Sequence, residues 1–320
     1  MRKLLSDFNF KQKYARYRKE DKRRENFEEA VDRVLNMHKK HLGSDRTFDL
    51  ENELKEIERA YKDKRILGSQ RSLQFGGRGV LEKHARGYNC TACYVDNPHR
   101  FAQSLYLLLC GAGVGFSVQD HHIEQLPSIM PEEHMMNLPQ VHYVVRDTIE
   151  GWADALDELV KAYFGLSVYM PCFDFSSIRP NGAVIESCGG KTSGAYPLRL
   201  MLQKAESLLN TRCGQRLRSV DVCDLMCIGA DCVLAGGVRR SALICLFSPH
   251  DADMIEYKSK GEWWNTHPYR ARVNISAVLN RNDPNAQTFF DEIFESTQKY
   301  GEPAVIWTDS SEFVFNPCVE

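Results

Sequence analysis

Apolar residues recur at helical spacing through residues 1–66. "NFEEAVDRVLNMHKKHL" sets Phe27, Val31, Val34, Leu35 and Met37 along one side of a helix. "DLENELKEIERAYKDKRIL" repeats the pattern with Leu50, Leu54, Ile57 and Tyr61, with Asp49 as its expected N-cap. From residue 67 the texture changes. Short apolar runs alternate with amphipathic segments and glycine turns. "FAQSLYLLLCGAG" reads as a helix stopped by glycine, and "VGFSVQ" as a strand. Further helices are predicted in "IEGWADALDELVKAYFG", "YPLRLMLQKAESLLNT", "SVDVCDLMCIGADCVLAGG" and "PNAQTFFDEIFESTQKYG". Further strands are predicted in "LSVYMPCFDFS", "RRSALICLFS" and "EPAVIWTD". Such alternation implies parallel strands joined by crossover helices. The expected organisation is a helical N-terminal region over 1–66 and one α/β unit over 67–320.

Composition narrows the function classes. The chain has 320 residues, 43% hydrophobic and 26% charged, with a net charge of −2. That balance gives no global basic field for nucleic acid or a membrane surface. The basic stretch Lys11–Arg24 is followed by acidic residues and reads as a solvated helix face. The longest apolar run, "LYLLLCGAGVGFSV", is broken by three glycines, short of the roughly 18 apolar residues of a membrane span. The N-terminus lacks the apolar core of a secretory signal. Most of the eleven cysteines sit inside apolar runs, where reduced thiols pack as small hydrophobes. The expected compartment is reducing and cytoplasmic.

Several motifs invite chemistry. "CGAGVGF" carries glycines 111, 113 and 115, but a helix precedes them and a strand follows, the reverse of a dinucleotide fingerprint. These glycines allow close backbone approach to a flat ligand, or a tight helix-to-strand turn. Cys90 and Cys93 form a Cys-x-x-Cys with no second pair for zinc, so at most one of them is expected to be functional. Cys223, Cys227 and Cys232 fall on a helix and read as packing. His121 and His122, read as extended chain, would point to opposite sides and not share a metal; no metal site is expected. "LAGGVRRSA" offers a flexible loop with two arginines suited to phosphates. In "NPCVE", Asn316 and Glu320 flank Cys318 two residues away on either side. An extended segment would place amide, thiol and carboxylate on one face, fit to hold a diol and move a proton.

These motifs together closely resemble ribonucleotide reductase catalytic chains, most nearly the adenosylcobalamin-dependent class II branch. The likeness runs through "RSLQFGG", "YNCTACYVDNPHRFAQSLYLLLCGAGVGFSVQDHHIEQLP", "FDFSSIRPNGA", "VCDLMCIGADCVLAGGVRRSALICLFSPHDADMI", "WWNTHPYRARVNISAVL" and "FNPCVE". The resemblance implies the first half of a ten-stranded α/β barrel, preceded by a helical region. It implies reduction of ribonucleotides to 2′-deoxyribonucleotides by thiyl-radical chemistry. Cys318 matches the radical cysteine, Glu320 the carboxylate that takes the 3′-OH proton, and Asn316 the amide that orients the ribose hydroxyls. Cys90 matches one half of the redox pair. Ser72 matches a position that contacts substrate phosphate or ribose, and the backbone at Ala112 and Gly113 matches the approach to the substrate base. Gly236, Gly237, Val238 and Arg239 match the loop that relays a bound effector, and the "ESCGGKTSG" segment is a weaker effector contact. The implied cofactor is adenosylcobalamin, and the implied reductant a dithiol such as thioredoxin. The implied partners are a ribonucleotide substrate, a deoxynucleotide or ATP effector, and a complementing C-terminal polypeptide carrying the second redox cysteine; neither nucleic acid nor membrane is expected. A catalytically idle nucleotide-binding remnant and a class I type subunit with a separate radical source stand as alternatives.

Overall fold

The computed structural model describes residues 2–45, 47–185, 190–235 and 242–319. The chain divides into two compact units, Met1–Asn89 with Val184–Lys191, and Cys90–Ala183 with Thr192–Glu320.

The first unit is helical, with α1 (Arg2–Lys13), α2 (Phe27–Leu42), α3 (Phe48–Lys62) and the short α4 (Gln70–Phe75). Asn26 and Glu29 form a reciprocal capping box at the start of α2, each accepting from the other's backbone N–H at 2.8 Å. The apolar stripe of α2 buries Ala30, Val31, Val34 and Leu35 against Tyr61 and Leu73. The cap of α3 is Thr47, which accepts from Leu50 N, and not Asp49. The helix begins at Phe48, so Asp49 falls within the first turn, where its charge favours the positive helix end. The basic stretch is not a simple helix face. It turns through a small antiparallel ribbon, Tyr17–Arg18 with Arg23–Arg24, and Arg18 and Arg23 both pair with Glu29.

The second unit is built on strands β1 (Cys90–Tyr94), β2 (Gly113–Ser117), β3 (Gln140–Val144), β4 (Met170–Asp174), β5 (Leu243–Phe247), β6 (Val273–Asn280) and β7 (Ala304–Thr308). Five of them form one sheet in the order β7-β6-β5-β2-β1, parallel throughout, while β3 and β4 make a separate parallel pair. Its helices are α5 (Arg100–Cys110), α6 (Asp120–Ile123), α7 (Ile149–Tyr163), α8 (Tyr196–Asn210), α9 (Ser219–Ala235) and α10 (Ala286–Tyr300). Gly111 ends α5 in the left-handed conformation that glycine adopts freely (φ +89). The strand–helix alternation read from the sequence is therefore realised. The sheet also includes β1 and β6, which hydrophobic pattern alone did not mark as strands.

Side chains alternate along β5. Leu243, Cys245 and Phe247 pack into the main core with residues of α5 and α9, such as Leu105, Leu108, Val222 and Cys223. Ile244 and Leu246 face the other way, with Val278 of β6, and meet Ile306, Val314 and Phe315. Burial on both faces is what a parallel sheet requires. Cys223, Cys227 and Cys232 are buried core residues. Beside them Asp224 accepts two hydrogen bonds from the Arg270 guanidinium, at 2.8 and 2.7 Å, and one from the Tyr257 hydroxyl at 2.5 Å.

Candidate active site

Cys90 opens β1. Cys90 and Cys93 are an odd number of residues apart on a strand, so they face opposite sides of the sheet. Cys93 turns toward α5, its Sγ 3.7 Å from Ser104 Oγ, and burial pushes its thiol pKa up. Cys90 turns the other way, where its Sγ lies 3.2 Å from Cys318 Sγ. Two thiols 228 positions apart in the chain thus meet on the sheet face opposite the helices.

The segment carrying Cys318 leaves β7 and runs back along β2 in the reverse direction. Gln119 donates from Nε2 to Ser311 O at 3.0 Å, Phe315 lies over Gly115, and Pro317 lies over Gly113. A Cβ on Gly115 would stand 1.6 Å from Phe315 O and 3.1 Å from Asn316 Cα. One on Gly113 would stand 3.1 Å from Pro317 Cγ and 3.4 Å from Cys90 Sγ. Gly113 and Gly115 do permit close approach, and what approaches β2 is the chain's own tail, by backbone at Gly115 and by the Pro317 ring at Gly113. Ala112, matched with Gly113 to the substrate base, is fully buried just before β2.

The motif itself is a turn. Val319 N donates to Asn316 O at 3.0 Å, Cys318 N donates to Asn316 Oδ1 at 3.1 Å, and Val319 has a φ of +57. Asparagine first and proline second is a strong turn signature, because the amide side chain caps the backbone and proline presets φ. The extended geometry expected from spacing, with Asn316 two residues from the thiol on a common face, is therefore replaced. Asn316 is instead held to Cys318 through the thiol's own backbone N–H. Cys318 is exposed.

Earlier in the tail, a polar clasp grips Glu312. His121 and His122 sit on the helical turn α6 and not on extended chain, so both rings reach the same carboxylate. His121 Nε2 is 3.1 Å from Glu312 Oε1, and His122 Nε2 is 3.4 Å from Oε2. The two histidines expected to diverge converge, because a helical turn separates neighbours by about 100° and not 180°. His122 Nδ1 lies 2.8 Å from Ser117 Oγ, and its ring stacks on Tyr94 at 4.2 Å. The Tyr94 hydroxyl donates to the Glu312 carbonyl. Burial, with a smaller contribution from His121, lowers the His122 pKa. Glu312 was not singled out from sequence, since an acidic residue in a polar loop carries no signal there.

The remaining sequence candidates lie elsewhere. Ser72 is on α4 of the first unit, whereas every contact named above is internal to the second. Gly236, Gly237, Val238, Arg239 and Glu320 lie outside the described residues, as do residues 186–189 of the "ESCGGKTSG" segment.

Comparison with known proteins follows the same lines. A family model described as the insertion domain of B12-dependent ribonucleotide reductase matches residues 122–209. That range spans β3, β4, α7 and most of α8. The adenosylcobalamin-dependent ribonucleoside-triphosphate reductase of Lactobacillus gasseri is 28% identical over 93% of this chain and 47% of its own length. That of Lactobacillus leichmannii is 28% identical over 95% of this chain and 48% of its own. A probable enzyme of the same name from Dictyostelium discoideum is 31% identical over 52% of this chain and 21% of its own length. A crystal structure of a B12-dependent (class II) ribonucleotide reductase superposes with a TM-score of 0.78 at 26% identity, covering 95% of this chain and 49% of that one. The chain spans about half the length of the relatives it matches.

Proposed function

We propose that this chain, which resembles the adenosylcobalamin-dependent ribonucleotide reductases over nearly all its length, is the N-terminal catalytic portion of such an enzyme. It acts in the reduction of ribonucleotides to 2′-deoxyribonucleotides. The observation that carries this reading is the 3.2 Å approach of Cys90 and Cys318. Thiol beside thiol suits hydrogen-atom and two-electron redox chemistry on one substrate carbon framework.

In this reading Cys318, as a thiyl radical, abstracts the 3′ hydrogen of the ribose. Cys90 supplies one of the two thiols that reduce the 2′ carbon as its hydroxyl leaves as water. Asn316 engages its carboxamide oxygen with Cys318 N and keeps its NH2 for a ribose hydroxyl. Glu320 takes the 3′-OH proton. Gly113 and Ala112 border the base, Ser72 the phosphate or ribose. Gly236, Gly237, Val238 and Arg239 relay a deoxynucleotide or ATP effector. The exposure of Cys318 leaves its sulfur reachable by an outside radical source. Adenosylcobalamin, when bound, supplies the one-electron chemistry that a thiol does not begin alone. The relatives' names favour this cofactor over the separate radical subunit of a class I enzyme, and a triphosphate substrate over a diphosphate. A polypeptide supplying the rest of the relatives' length, with the second redox cysteine, and a thioredoxin-like dithiol complete the system. The site acts in the cytoplasm, where free thiols persist.

The test joins or mixes the chain with that remaining length and measures deoxyribonucleotide formation with adenosylcobalamin and a dithiol. Cys318→Ser is expected to lower turnover by roughly three orders of magnitude or more. Substantial reduction by Cys318→Ser would sink the proposal.

A further inference from the structure

The clasp on the tail has the form of a metal site. We propose that His121, His122 and Glu312 together bind a divalent transition-metal ion, zinc fitting best, and that the ion staples the tail where it starts across the sheet. This rests on its own geometry and not on the proposed reaction.

The donor set is two imidazole nitrogens and a carboxylate, which suits zinc and leaves a fourth position for water. One ligand atom from each residue lies within 4.8 Å of the other two. The nitrogen–oxygen separations are 3.1 and 3.4 Å. Donors at about 2.0–2.1 Å around a tetrahedral ion stand roughly 3.3 Å apart, and each imidazole nitrogen faces its own Glu312 oxygen at close to that separation, so an ion would sit between the two rings and the carboxylate.

Two further features point to an ion and not to a plain ion pair. His121 Nε2 is buried and makes no hydrogen bond among the described residues, although Glu312 Oε1 is close. The approach has ion-pair distance without hydrogen-bond geometry, and a buried ring nitrogen without a partner is rare. His122 is held as metal-binding histidines usually are. Its second nitrogen is engaged by Ser117 Oγ and its ring is fixed against Tyr94, so Nε2 points at the carboxylate. The side chains of His121 and Glu312 are 38% and 64% exposed, which leaves an entry path. Glu312 sits six residues before Cys318, so an ion here would hold the approach to the thiol pair.

The test uses the 320-residue chain, stripped with a chelator and titrated with Zn2+ by calorimetry and with Co2+ by absorption. One ion per chain is expected, with nitrogen and oxygen d–d bands and no thiolate charge-transfer band. Affinity should fall by at least about tenfold in both His121→Ala and Glu312→Gln. These changes lie on separate segments and at partly exposed side chains. Circular dichroism checks each fold, and should both variants unfold, the wild-type Co2+ spectrum decides by its ligand type. No binding at micromolar metal, a sulfur-ligand spectrum, or unchanged affinity in both folded variants would each overturn the proposal.

Discussion

At the scale of single residues, the tail's seat depends on what β2 lacks. Gly115 has no room for a methyl group, since its Cβ would meet Phe315 O at 1.6 Å. The nearest atoms are backbone and cannot swing aside as a side-chain end could. Gly115→Ala is expected to lift the tail and cost about 1–3 kcal/mol, read as a lower denaturant midpoint. Hydrogen exchange should rise over residues 311–318 while the sheet keeps its protection. Gly113→Ala, at 3.1 Å from a proline ring carbon, should cost less. The glycines were legible in the sequence as points of close approach. Their partner was not, because nothing local says that residue 315 returns to residue 115.

At the scale of elements, the helices were the most legible part. Their apolar spacing and glycine stops are local, and α5, α7, α8 and α10 formed where they were expected. The misreadings were also local. Asp49 has the residue type of a cap, but Thr47 serves. The pair of histidines forms a helical turn and not extended chain, and "NPCVE" is a turn that its Asn-Pro step signals. Helix α9 is apolar nearly all round, the mark of a buried helix. Of its three aspartates, Asp221, Asp224 and Asp231, Asp224 pairs with Arg270 while both side chains are mostly buried. Asp224→Ala would leave the guanidinium buried without its counter-charge. A loss of about 3–5 kcal/mol is expected by chemical denaturation, and Asp224→Asn should lose less. Equal stability of Asp224→Ala and the wild type would show that Arg270 escapes to solvent.

At the scale of the whole molecule, each unit keeps its own core, and the sheet of the second is covered on both faces. Val314 and Phe315 of the tail lie over Ile244, Leu246 and Val278. Ending the chain at Thr308 would uncover that cluster. Loss on the order of 2–3 kcal/mol is expected from the exposed area, together with binding of a hydrophobic dye. A truncated chain that binds no dye and melts as before would show that the tail contributes nothing to that face. The sequence by itself determined the helices, the parallel α/β class, the candidate thiols and the family likeness. Each rests on spacing within a short window or on motifs that survive as strings. Only the tertiary structure decided which thiol of Cys-x-x-Cys meets Cys318, what the glycines of β2 make room for, and that His121, His122 and Glu312 converge. Those are contacts between residues up to 228 positions apart. Their free energy depends on how strands are ordered and which face each side chain takes, and no local pattern carries that information.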